Sequence, residues 1–183
     1  MENKLEVTLS TETLNQKSIF YTVGIGGAAL LVYILLWGFD FYFSWEFLVQ
    51  FYLANLVGIT LHELVHALAF VFIGKASRSN VKFGFMWRHA MPYVHCNQPV
   101  SFGAYTYVIL LPVVLTGILP MVMGLWVGSQ LIVCASIFLI AGGTGDWIIY
   151  KKVQSVEGFS WVQDHPSEAG CVLYRKLPVE KVE

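Results

Sequence analysis

The sequence predicts an all-α integral membrane protein of four transmembrane helices, with a short cytoplasmic β-hairpin between the second and third. Three observations predict it. Only 13% of the 183 residues are charged and 56% are hydrophobic, against roughly 25% charged in a soluble domain. Four stretches reach the ~20 mostly apolar residues that a hydrocarbon core requires. All eleven Lys and Arg fall into three segments, each separated from the next by two of those stretches.

The spans lie at about 19–43, 45–73, 105–127 and 130–150. The first is too long for a signal-peptide core and shows no small-residue cleavage site, so it reads as retained. The second is long enough to need tilt or a break. Pro112 and Pro120 predict kinks in the third, which buried membrane helices tolerate. Lys4 and Lys17 precede the first span. Lys75, Arg78, Lys82 and Arg88 lie between the second and third, and Lys151, Lys152, Arg175, Lys176 and Lys181 follow the fourth. Positive charge marks the cytoplasmic side, so both termini and residues 74–104 are expected there. The resulting division is a transmembrane domain over 1–150 and a cytoplasmic extension over 151–183, which is more polar and carries the turn signal Asp164-His165-Pro166. Val81–Trp87 and Pro92–Cys96 are rich in β-forming residues and flank Arg88–Met91, the pattern of a hairpin.

Net charge is −1, which excludes an electrostatic nucleic-acid partner. Cys96, Cys134 and Cys171 show no CxxC spacing and are odd in number, which argues against a disulfide framework and for reduced thiols.

The chemistry concentrates in His62-Glu63-Leu64-Val65-His66. Two histidines four apart share one helix face, one turn apart, a spacing that lets both hold one Zn²⁺. Glu63 stands beside the first and is placed to take a proton from a water that the metal activates. These residues interrupt an apolar span, where ionisable groups are costly and mark function. A catalytic zinc usually takes a third protein ligand. Asp146 is the only acid in the fourth span, with Gly142 and Gly143 four and three residues before it; small residues there let helices approach closely. At 1.5 Å per residue, His66 and Asp146 lie about 10 Å and 6 Å from the inner ends of their spans. Asn55, seven residues before His62, shares its face and is a candidate substrate or oxyanion contact, as is His95. His89, Cys96, Asp164 and His165 are further possible ligands or substrate contacts.

HELVH in one span with a Gly-rich Asp motif in a later one resembles the site-two type of intramembrane zinc protease. More closely, the chain resembles a family of small membrane proteins described as zincin peptidases. That resemblance spans the HExxH helix, the basic loop with Pro92-Tyr93-Val94-His95-Cys96, the Pro-containing third span and Gly145-Asp146. It implies zinc ligation by His62, His66 and Asp146, a catalytic Glu63 and a bacterial inner-membrane setting. Thr144-Gly145-Asp146-Trp147 stands where the site-two type carries Asn-Pro-Asp-Gly or Leu-Asp-Gly. The expected activity is zinc-dependent intramembrane or membrane-proximal endoproteolysis of membrane-associated or transmembrane polypeptides. The alternatives are a membrane metallohydrolase acting on a lipid or small amphiphile, and a non-catalytic metal-binding membrane protein.

Overall fold

Apolar length dictates the helices. The computed structural model describes residues 3–9, 11–86, 91–166 and 168–178. It contains α1 (Thr11–Trp37), α2 (Trp45–Phe72), α3 (Phe102–Val113), α4 (Leu119–Val127), α5 (Gln130–Gly142) and α6 (Thr144–Gln154). Three helical runs, Gln16–Trp37, Trp45–Phe72 and Phe102–Val127, are long and apolar enough to cross a membrane, and α5 with α6 makes a fourth if that bent pair is one span. This is a membrane protein. Ile19, Phe20, Val23, Leu35 and Leu36 of α1 all face outward, an arrangement that lipid stabilises and water does not.

Three helical expectations need correction in detail. The first helix ends at Trp37 rather than near residue 43. Gly38 closes its last turn by donating to the Ile34 carbonyl at 2.8 Å, and its φ of +88° is the left-handed stop that glycine permits. The third run is interrupted by a π-helical segment, Val114–Ile118, enclosed by the two prolines. The fourth is bent by 43° between α5 and α6. Gly142 and Gly143 are weak helix formers. Just after them the Thr144 hydroxyl donates back to the Ile140 carbonyl at 3.4 Å, a contact that bends helices.

The all-α expectation is also corrected, because the described residues include two β-sheets. The hairpin is present: β2 (Val81–Met86) pairs antiparallel with β3 (Met91–Cys96). Residues 87–90 between them, with His89, lie outside the described residues. A second sheet has the order β1-β6-β5-β4, from β1 (Lys4–Thr8), β4 (Val100–Ser101), β5 (Trp161–Asp164) and β6 (Gly170–Tyr174). Its strands are short and its pairings distant in sequence, Leu5 opposite Leu173 and Val100 opposite Val162.

The chain divides into two units, residues 1–11, 63–111 and 146–183 in one, and 12–62 with 112–145 in the other. The first holds both sheets around a core that includes Phe70, Cys96, Val100, Tyr105, Val108, Val162 and Leu173. The second is helical and is tied at one end by polar contacts to backbone. Tyr33 donates to Gly128 O at 3.1 Å, Trp37 Nε1 to Leu125 O at 2.8 Å, and the Gln130 amide bridges the N–H and carbonyl of Tyr42.

Candidate metal centre

His62 and His66 stand one turn apart on the unbroken helix α2. His62 is buried and His66 half-buried. The order of polar contacts around each ring decides which nitrogen is protonated. His66 Nδ1 lies 3.1 Å from the Val108 carbonyl oxygen. A carbonyl only accepts, so Nδ1 carries a proton, and in the neutral ring Nε2, on the Asp146 side, is then the nitrogen with the lone pair. His62 Nδ1 lies 3.2 Å from Thr116 Oγ1, and that hydroxyl donates its own proton to the Pro112 carbonyl at 2.7 Å. Thr116 can therefore only accept from His62, whose Nε2 is likewise left with a lone pair. Such outer contacts fix the tautomer of metal-ligating histidines.

Both supports trace to Pro112. A helix carbonyl is served by the N–H four residues on, and for Val108 that residue is Pro112, which has none. The orphaned carbonyl serves His66. Thr116 stands four residues after Pro112 in the π segment, a distortion frequent at functional sites.

Asp146 sits in the first turn of α6, where the helix dipole favours a carboxylate. Its Oδ2 lies 3.5 Å from His66 Nε2. One ligand atom from each of His62, His66 and Asp146 lies within 4.8 Å of the other two. Two histidine nitrogens and a carboxylate oxygen this close together are placed to share one cation. The donor set, two His nitrogens and one Asp oxygen, is that of a catalytic zinc site with a position left open. The residues fit the metal. Gly143 explains one close approach: a β-carbon there would meet Val113 Cγ2 at 2.5 Å and His62 Cε1 at 3.3 Å, whereas Gly142 has nothing within 4 Å. Glu63 is half-buried, one residue after His62.

The remaining candidates are not part of the ligand group found among the described residues. Asn55 Nδ2 donates to the Phe51 carbonyl at 2.8 Å, and its buried Oδ1 has no hydrogen-bond partner among the described residues. The free atom is thus an acceptor. His95 Nε2 lies 2.6 Å from Asn97 Oδ1. Burial pushes the Cys96 thiol up to about 11 and that of Cys171 to about 12, so both stay protonated and unreactive. His165 Nδ1 accepts from the Glu168 N–H at 3.0 Å within its own turn. Val108, Pro112 and Thr116 are the residues that sequence reading did not assign to the site. The signal for the first two was present, since a proline always frees the carbonyl four residues before it.

An apolar helical protein with HExxH on one helix and a carboxylate brought to its histidines belongs to the zincin class of metallopeptidase. Residues 55–157, more than half of the chain, match the family described as "Putative zincin peptidase", and the chain belongs to that family. No curated protein and no solved structure matches it.

Proposed function

We propose that the protein is a zinc-dependent endopeptidase of the inner membrane that cleaves membrane-associated or transmembrane polypeptides within or beside the cytoplasmic half of the bilayer. The observation that carries this reading is the convergence within 4.8 Å of Asp146 from α6 with His62 and His66, which stand on the helix that also bears Glu63. His62, His66 and Asp146 would hold a zinc ion, which when bound would supply a Lewis acid able to lower the pKa of a water to about 7. Glu63 takes the proton of the attacking water on a carboxylate oxygen and returns it to the leaving amine. Thr116 and the Val108 carbonyl hold the two rings in the tautomer this requires. Asn55 Oδ1, an acceptor, suits a substrate N–H or a water, and His95 is the candidate donor to the oxyanion.

The sheet supports the topology. β1, β4, β5 and β6 share one sheet, and a sheet lies on one side of a bilayer. The segments before α1, between α2 and α3, and after α6 therefore share a side, which basic charge marks as cytoplasmic. On this reading α5 and α6 together make the fourth crossing, since α3 and α4 alone would leave β5 on the wrong side. Among the described residues β2 pairs with β3 alone, so its outer edge suits pairing with an unwound substrate strand. This favours a polypeptide over a lipid or small amphiphile.

The test is zinc content and cleavage side by side. Glu63→Gln is expected to keep zinc and lose cleavage of an unfolded membrane-tethered polypeptide. His62→Ala and His66→Ala are expected to lose both, and Asp146→Asn to weaken zinc binding. Loss of zinc from Glu63→Gln would refute the proton-transfer role. A wild-type protein that hydrolyses a lipid ester and no polypeptide would overturn the peptidase reading.

A further inference from the structure

The unit that holds His66 and Asp146 also holds a polar junction whose carboxylate, that of Asp164, lies outside the stretch that the family match covers. Asp164, on β5, accepts from the Cys96 N–H at 2.9 Å through Oδ2 and from the Tyr105 hydroxyl at 3.2 Å through Oδ1. Cys96 is fully buried and Tyr105 nearly so. Tyr105 stands three residues before Val108 on α3. Its ring packs 6.4 Å, centroid to centroid, from that of Phe70, which stands four residues after His66 on α2. Tyr105–Phe70 and Val108–His66 are therefore successive rungs between the same two helices.

We propose that Asp164 is a positioning residue for the metal centre: by holding the Tyr105 hydroxyl and the Cys96 N–H, it fixes α3 against α2 so that the Val108 carbonyl stays on His66 Nδ1. The inference rests on the reading of His66 as a zinc ligand. Apolar helices in a membrane have little hydrophobic reason to prefer one register, so specific polar contacts decide it. Strand β5 has no need of this side chain for its own place, because its backbone pairs with β6 from Trp161 to Asp164 and with β4 at Trp161 and Val162. The carboxylate is also the group the geometry demands. Two donors from two elements approach its two oxygens, and an amide in its place would turn an N–H₂ toward one of them. A segment distant in sequence thereby reaches the zinc through one hydroxyl and one helix turn.

The test uses the full chain in nanodiscs and compares wild type with Asp164→Asn, Tyr105→Phe, the double variant and His66→Ala. Zinc affinity is read by chelator competition, and the geometry of the centre by the absorption of the cobalt(II)-loaded protein. Asp164→Asn and Tyr105→Phe are each expected to weaken zinc at least 10-fold, as loss of an outer contact does, and to shift the cobalt bands. The double variant should be no worse than the weaker single, because both remove one link. Tyr105→Phe keeps the ring and its packing, so it tests the link even where Asp164→Asn folds poorly. Wild-type affinity and cobalt bands in Tyr105→Phe would overturn the inference. If His66→Ala also retained zinc, the assignment of the centre itself would be what failed.

Discussion

The His66 ring donates from Nδ1 to the Val108 carbonyl at 3.1 Å, and that carbonyl is available because the residue four positions on is Pro112. The proline weakens its helix and in return frees an acceptor for the His66 ring, which on the proposed function sets the nitrogen offered to the metal. Pro112→Ala should then separate helix stability from metal binding. The alanine N–H competes for the Val108 carbonyl, and zinc affinity is expected to fall about 10- to 100-fold while helix content holds or rises. Chelator competition alongside circular dichroism measures both. Unchanged affinity would mean that the Val108 contact does not orient the ring.

Gly143 and Gly142 make a matched pair. A β-carbon at 143 would meet Val113 at 2.5 Å and the His62 ring at 3.3 Å, and one at 142 would meet nothing within 4 Å. Overpacking of this kind costs roughly 1–3 kcal/mol. Gly143→Val is expected to lower both the thermal midpoint and zinc affinity, and Gly142→Ala to leave zinc affinity unchanged. Equal effects from the two would remove the argument that Gly143 is there to admit His62.

The parts legible in the sequence were those set by local pattern. Apolar length gave the helices, β-rich runs gave the strands of the hairpin, and the i, i+4 spacing gave His62 and His66 as a pair. Asp146 could be nominated because a lone acid in an apolar stretch demands a partner. The four-stranded sheet was not legible. Lys4–Thr8 and Gly170–Tyr174 are each five residues long and pair across nearly the whole chain, so neither carries a signal of the other. The reading of Gly143 as a close-packing position holds, since a β-carbon there would meet Val113 at 2.5 Å, but the helix break beside it was not legible. The same two glycines end α5, and the turn they make begins the short helix that presents Asp146. The role of Pro112 was missed because a proline was read as a kink, when its consequence lies four residues upstream.

Asp164 gives a pH dependence whose sign follows from its surroundings. Burial pushes its carboxyl up to about 6, against the opposing pull of the Cys96 N–H, His95, His66 and the Tyr105 hydroxyl. The ordinary carboxyl value is about 3.9. A group whose folded pKa is raised binds more protons folded than unfolded, so its contribution to stability is full below pH ~4 and is lost as pH rises through about 6. Thermal midpoints of wild type and Asp164→Asn, taken from pH 4 to pH 7.5, isolate this contribution as a difference. The wild-type midpoint minus the variant midpoint is expected to decrease across that window. A difference that is flat or increases with pH would show that the carboxylate is held charged in the folded protein.

The last prediction concerns which side of the membrane each segment occupies. Glu6 lies opposite Val172 and Val100 opposite Val162, so the N-terminal strand, the segment after the hairpin and the C-terminal strand are parts of one sheet. No arrangement of crossings can separate them without dismantling it. If α1 and α2 are the two crossings between β1 and β4, then two must also separate β4 from β5, and on the proposed topology the bent pair α5–α6 is the second of these. The proposed topology takes its side from the basic residues. Reporter fusions before Lys17, at Lys75–Arg78 and after Tyr174 should all report cytoplasm, and one at Gly128–Gln130 the opposite face. A further check does not depend on fusions: Glu6→Cys with Val172→Cys should crosslink in intact cells under a short bifunctional thiol reagent that enters the cytoplasm. Opposite-side reporters at the two ends, or no crosslink in a protein that still binds zinc, would break the sheet and with it the four-crossing topology.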